Sequence, residues 1–346
     1  MSGPWRITTQ ALVGLEASRA WRNSALAGRF TVEEVYGPSG KLRVLGHEWD
    51  GARAMSGALM QNMGGGVPIE VIRELVRQCS PGGYLPPLRI ATWNVERPKP
   101  RGWKIPPAQR ERMAEVGADI WVLTETHLDH QPTPEHTHCA FSPPHPERRP
   151  EHERWVGIWS RWPLIELTDP PAHRRGSLAV EVATPWGPVM VFGTVLAWAN
   201  EPHFDDGTPA RKWEVHNVEV HRQVSEWVAI TRAYPGVPLV VAGDFNQDRD
   251  GSGWYGSATA RRVVTGGLEA AGLECVTEFD AVAEGRLATS HLVDHICVSR
   301  PWAHRSTVEL AERIDTQGRQ LSDHPTVTVE VDLDPSDIPL AAPIVQ

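Results

Sequence analysis

Between Leu88 and Leu333 the chain is assembled from short apolar runs, each ending at a turn former or a polar residue, and this restricts the fold more than any other feature. LRIATWNV, ADIWVLTE, WVGIWS, SLAVEVAT, PVMVFGTVL, PLVVAGD, HLVDHICVS and TVTVEVDL are of strand length and rich in β-branched or aromatic residues. Helical spacing occurs between few of them. It is found in PAQRERMAEVG, opened by proline, and in ARKWEVHNVEVHRQVSEWVAI, where Trp213, Val220, Val224 and Trp227 share one face. Many extended elements with few helices predict two packed sheets flanked by helices, because each apolar sheet face must be covered by another layer.

The first 87 residues follow a different pattern. TVEEVY and KLRVLGHEW, separated by GPSG, predict a hairpin turning at residues 37–40. In IEVIRELVRQC, the residues Ile69, Ile72, Leu75, Val76 and Cys79 form a helical stripe. The glycines at 64–66 lack a following GK[ST], which makes them a connector and not a phosphate cradle. CSPGGYLPP, residues 79–87, reads as a linker. The expected organisation is a small α+β N-terminal module over 1–87, a large domain over 88–333 and a tail over 334–346. The module is expected to recruit a protein partner or substrate, or else to cap a sheet edge.

A formal charge of −9, from 34 basic and 43 acidic residues, argues against a protein that coats nucleic acid nonspecifically. The cysteines Cys79, Cys139, Cys275 and Cys297 form no CxxC pair, which implies neither a zinc site nor a disulfide framework. Without a membrane-length apolar run or a basic-then-apolar leader, the sequence reads as cytoplasmic with no membrane contact.

The chemistry concentrates at strand ends. In PLVVAGDFNQDRDG, residues 238–251, Asp244 and Asn246 alternate with Phe245 and therefore point to one side. A plain turn is the competing reading, since Gly, Asp and Asn favour turns. Other strand ends carry Asn94, Glu125, and Asp323 with His324. Oxygen donors from several strands suit a hard cation such as Mg²⁺ better than zinc.

Taken in order, Asn94 in ATWNV, Glu125 in LTET, GDFN at 243–246, Asp294 in VDHI and SDH at 322–324 resemble the motifs of the endonuclease/exonuclease/phosphatase superfamily. WVGIWSRWPL, with Ser160 and Arg161, is similar to a further strand of that family. The resemblance spans about residues 88–333. It implies a four-layered α/β sandwich of two mixed sheets flanked by helices, and phosphate-ester cleavage with Mg²⁺ or Mn²⁺. Glu125 would be the main metal ligand, helped by Asn94 and Asp323. Asp244 and Asn246 would position water and phosphate, with Asp244 also near the metal. His324, oriented by Asp294, would act on the scissile phosphate. Two positions depart from the family: Val195 stands where many members have histidine or tyrosine, and His127 where lysine is frequent.

The substrate-binding candidates are His127, the basic loop with Arg97, Lys99, Arg101 and Lys104, and the aromatic residues Trp198, Trp254 and Tyr255. The His- and Pro-rich segment 130–154 reads as a solvated loop in preference to a zinc cluster, and His216 as a satisfied semi-buried histidine. The expected activity is metal-dependent hydrolysis of nucleic acid, most simply DNA endonuclease cleavage leaving 5′-phosphate and 3′-hydroxyl ends. The alternatives are a phosphatase or phosphodiesterase for a small molecule or lipid headgroup, and a non-catalytic binding protein. A WCDR-like motif of the inositol-phosphatase type is absent near RLATSHLVDH.

Overall fold

The computed structural model describes residues 87–97, 105–144, 152–167 and 176–333, together with two short strands nearer the N-terminus. The chain divides into two compact units, one of Leu88–Val182 with Val189–Val331, the other of Met1–Pro87 with Ala183–Pro188 and Asp332–Gln346. In the latter, β1 (Leu42–Val44) pairs antiparallel with β2 (His47–Trp49), with Val44 opposite His47. KLRVLGHEW, expected as a single strand, is thus a hairpin in itself, and the expected turn at 37–40 lies outside the described residues. The register leaves only residues 45 and 46 between the strands, the loop length that most readily joins antiparallel neighbours. The expected strand at 31–36, the helix over 69–79, the linker up to residue 86 and the tail lie outside the described residues.

Along the chain follow β3 (Leu88–Asn94), α1 (Ile105–Val116), β4 (Ile120–His127), β5 (His138–Phe141), β6 (Glu153–Ser160), β7 (Leu164–Glu166), β8 (Ser177–Thr184) and β9 (Gly187–Val195). Then come α2 (Glu214–Ala233), β10 (Leu239–Asp244), α3 (Ala258–Ala270), β11 (Leu273–Cys275), β12 (Asp294–Ser299), α4 (Arg300–Ala303), β13 (Ser306–Ala311) and β14 (Thr326–Val331). Two six-stranded sheets result, ordered β13-β14-β3-β4-β6-β5 and β11-β12-β10-β9-β8-β7. Both are mixed: β3–β4 and β9–β10 run parallel, β3–β14 and β10–β12 antiparallel.

Side-chain alternation explains the layers. On β3 and β4, Ala91, Trp93, Trp121 and Leu123 form a buried cluster with Ala108 and Met113 of α1. On the other sheet, Phe192, Leu239 and Val241, with Phe245 just beyond β10, pack against Val220, Trp227 and Ile230 of α2 and Val264 and Leu268 of α3. Each such side chain contributes roughly 1.5–3 kcal/mol by leaving water. The intervening residues of each strand, among them Ile90, Thr92 and Asn94 on β3 and Val240, Ala242 and Asp244 on β10, are therefore directed to the opposite sheet. The two sheets meet face to face at Gly193, where an added Cβ would lie 2.4 Å from Val156 Cγ1 of β6. The architecture is a four-layered α/β sandwich.

Trp213 does not belong to its helix: it precedes α2 with a left-handed φ of 68°. The segment 130–154 is not simply solvated, because it contains β5 and buries His130 and His136. His136 Nδ1 meets Thr133 Oγ1 at 2.8 Å and its Nε2 lies 3.0 Å from the Ala118 carbonyl oxygen. Burial lowers the His136 pKa to about 4 and that of His130 to about 3. These imidazoles are neutral packing groups.

Candidate active site

The inward-facing rows of the two sheets end in polar residues at the same end, and the site forms there. Asn94 closes β3 and Asp244 closes β10, and the Asn94 Nδ2 group donates to Asp244 Oδ2 at 3.2 Å, joining the sheets. Just before Asp244, Gly243 lets β10 lie close along β9 of its own sheet. Its φ of 143° and the 1.9 Å that would separate a Cβ from the Thr194 carbonyl oxygen leave no room for a side chain. Beyond the strand, Asn246 donates its backbone N–H to Asp244 Oδ1 at 2.8 Å and its Nδ2 group to Asp244 Oδ2 at 3.1 Å and to the Leu196 carbonyl at 2.9 Å. Asp244 and Asn246 share one side, as their alternation with Phe245 predicts.

The β10–β12 register places Asp244 directly opposite Asp294. Two carboxylates in that relation repel. Both are buried, and burial together with the Asp294 charge raises the Asp244 carboxyl to about 7. Asp294 also holds the site's cation, with His324 Nδ1 2.5 Å from its Oδ2. Burial alone would lower the histidine, but Asp294, with Asp244 and Asp323 behind it, outweighs burial and lifts it to about 10. The turn carrying Asp323 and His324 is fixed to β3: Ser322 Oγ donates to the Asn94 carbonyl at 2.6 Å, and Trp93 Nε1 to the His324 carbonyl at 3.0 Å.

Glu125 meets Arg97 in an ion pair, Arg97 Nε to Glu125 Oε2 at 2.7 Å. The Arg97 guanidinium lies 5.5 Å from the Trp155 ring centroid. Glu96, Arg97, Glu125 and Asn246 all have φ between 47° and 55°, and they account for four of the five non-glycine residues with positive φ among those described. Such conformations cost about 1–3 kcal/mol each and collect at functional sites.

A cleft of about 490 Å³ is lined by Glu125, Asp244, Asn246, Asp323 and His324, and by Arg97, Trp198, Trp254 and Tyr255. Asn94 and Asp294 reach it through Asp244 and His324. His127 is not among its lining residues: it is buried beside Asp129 and His152, and burial lowers its pKa. Lys99, Arg101 and Lys104 lie outside the described residues. Sequence reasoning missed Glu96, whose carboxyl is raised by burial and by Asp323 and Glu125, and Trp155 as a cleft residue. It also missed a second trio, Asp250, Asp280 and His291, whose ligand atoms lie within 4.8 Å of one another, and the signal for it was only the extra aspartates after GDFN.

The donor set fits a hard divalent cation. Its donors are oxygens, and beyond burial, the main cause of the rise at Asp244 and Glu96, the neighbouring carboxylates raise both in a way that such a charge relieves. Asp244, Asp294 and His324 also lie with their ligand atoms within 4.8 Å of one another, but His324, held as an imidazolium by Asp294, offers a cation no lone pair.

Facing mixed sheets with these carboxylates and a His–Asp pair at one end define a phosphoesterase. The chain belongs to the Endonuclease/Exonuclease/phosphatase family, whose model matches residues 91–324. No curated protein matches it in sequence. Among solved structures it is similar to the endonuclease domain of TRAS1, a telomere-specific non-LTR retrotransposon, at a TM-score of 0.50 and 16% identity, over 72% of this chain and 99% of that one. It is also similar to an AP endonuclease from Archaeoglobus fulgidus, at 0.51 and 17%, over 71% of this chain and all of that one. At such identities the likeness concerns the fold.

Proposed function

We propose that the protein is a nuclease that uses Mg²⁺ or Mn²⁺ to hydrolyse phosphodiester bonds, most simply a DNA endonuclease leaving 5′-phosphate and 3′-hydroxyl ends. The observation that carries the substrate reading is the surround of the reacting groups. Arg97 after β3, Trp155 on β6, Trp198 after β9 and Trp254–Tyr255 after β10 all line the cleft that holds Asp244 and His324. A polymer offers phosphates and bases on either side of the cut bond for such groups to hold, whereas a small ester leaves most of them idle. The TRAS1 and Archaeoglobus neighbours are themselves named endonucleases.

In this reading Glu125, Asn94 and Asp323 would hold the metal, with Asp244 and Asn246 as further donors. When bound, the cation neutralises charge growing on the phosphoryl oxygens. Asp244, poised near 7 and fixed by both asparagines, takes a proton from the attacking water. The P–O3′ bond breaks as water's oxygen bonds to phosphorus. His324, an imidazolium at neutral pH, stabilises the phosphoryl charge and returns a proton to the leaving 3′ oxygen.

Purified protein incubated with plasmid, single strands, RNA and small phosphate esters, each with Mg²⁺, Mn²⁺ or chelator, tests the proposal. Metal-dependent nicking with 5′-phosphate ends is expected. Faster turnover of a small ester than of any nucleic acid would replace it with the small-substrate reading. A cytoplasmic setting is proposed on the free thiols Cys139, Cys275 and Cys297. Residues 1–87 are proposed as a separate module that recruits a partner or substrate. A chain starting near Gly82 should then stay soluble and active, and its insolubility would favour the edge-cap role.

A further inference from the structure

Among the described residues five large apolar side chains are exposed, and the two aromatic ones, Trp198 at 46% and Trp254 at 49%, both line the cleft. Exposed indoles gathered at a catalytic cleft suggest a flat partner. Neither sits on slack chain. Trp198 donates its Nε1–H to Glu201 Oε2 at 3.0 Å, within a turn closed by Glu201 N–H to the Trp198 carbonyl. Trp254 lies in a loop tied down by Asp248, whose buried carboxylate accepts from Gly253 N at 2.9 Å, Tyr255 N at 3.1 Å and Arg261 Nη1 at 2.9 Å. The Trp254 ring is braced by Tyr255 and His291, with centroids 5.4 and 5.2 Å away. Tyr255 in turn lies edge-on to Trp213 at 5.1 Å.

Both indoles are therefore held in place before any ligand arrives, which spares the ordering cost of binding. In a closed duplex each base is already covered on both faces and offers only its edges in the grooves. Indole faces recognise bases that have left the stack. The cleft, about 490 Å³, suits one nucleotide-sized group between the platforms and the carboxylates.

We propose that Trp254 and Trp198 form a stacking subsite for unpaired nucleobases beside the scissile phosphate, so that the enzyme prefers single-stranded or locally melted nucleic acid to closed duplex. This rests on the nuclease reading above and adds the state of the substrate. Asp248 is a positioning residue for the Trp254 platform.

The test uses the full chain, with binding measured in chelator by tryptophan quenching and anisotropy. The probes are a fluorescein-labelled single-stranded oligonucleotide and a fully paired hairpin of the same length, and cleavage of both is then measured with Mg²⁺. The wild type should bind and cut the single strand better. Trp254→Ala and Trp198→Ala should each weaken single-strand binding by roughly 5- to 150-fold, the range for losing one base stack. The loss should appear in KM more than in kcat, and Trp254→Phe should restore most of it. Circular dichroism checks the fold, and Asp248→Asn should weaken Trp254-dependent quenching. Unchanged single-strand affinity in both alanine variants, or equal or better cleavage of the paired hairpin by the wild type, overturns the inference while leaving the nuclease reading standing. No cleavage of any nucleic acid by the wild type removes both.

Discussion

Replacing Asp294 by asparagine should convert His324 from a permanent cation into a group that titrates near neutrality. Asp294 is buried and His324 half-buried, their contact is 2.5 Å, and against the lowering effect of burial Asp294, helped by Asp244 and Asp323, lifts the histidine from 6.5 to about 10. That rise corresponds to about 5 kcal/mol favouring the imidazolium. Asparagine keeps the shape and removes the charge, leaving burial, which lowers the histidine, opposed only by Asp244 and Asp323. In chelated protein the His324 ring resonances of the variant should therefore titrate at or below about 6.5, a fall of several pH units. The linkage has a definite sign. A histidine raised above its unfolded value stabilises the fold fully below pH 6.5 and loses that contribution as pH rises through about 10. Wild-type stability, measured by urea unfolding at a series of pH values, should thus decline between pH 7 and 10 relative to the variant. Activity should drop by roughly 10²–10⁴-fold, and a His324→Ala/Asp294→Asn double variant should be no slower than His324→Ala alone. A His324 that still titrates near 10 without Asp294 would refute the reasoning.

Glu125→Gln should retain the wild-type circular dichroism and thermal midpoint yet lose activity by at least about 100-fold, because it removes a direct ligand charge; full activity would remove Glu125 from the metal set. Gly193→Ala should destabilise by about 1–3 kcal/mol in urea titration, since the new methyl would meet Val156 at 2.4 Å, and Val156→Ala in the same chain should recover part of the loss. His136, held at about 4 inside the fold against 6.5 unfolded, stabilises above pH 6.5 and loses that contribution as pH falls toward 4. His136→Gln should flatten the acid limb of the stability curve by up to about 3 kcal/mol.

The eight apolar runs were legible as strands because buried strands are short, β-branched and punctuated. β5, β7, β11 and β13 were not: β5, β7 and β11 are only three or four residues long, HCAF lies within a Pro- and His-rich segment, LEC follows directly on α3, and β13 alternates with exposed residues at an edge of its sheet. α3 escaped notice because VVTGG interrupts its pattern, although Ser257 caps it by accepting from Ala260 N. At the site, Asp244, Asn246, Asp294 and His324 could be read from strand-end polarity and ordered motifs. What stayed hidden depends on register: that Asp244 faces Asp294 across a ladder, and that Arg97 turns back onto Glu125. His127 was assigned from its position beside a motif, and position alone does not tell whether a side chain emerges or is buried.

The Asn94–Asp244 bond joins halves of the site that come from distant parts of the chain. β3 and its antiparallel neighbour β14, paired Leu88 to Val331, are far apart in the chain, and Asp323 and His324 stand just before β14. The ends of β3 and β4 supply one half of the site, and β10, β12 and the turn before β14 supply the other. The site is complete only once both sheets have formed and docked, so its assembly depends on contacts between residues distant in the chain and any opening between the sheets takes it apart.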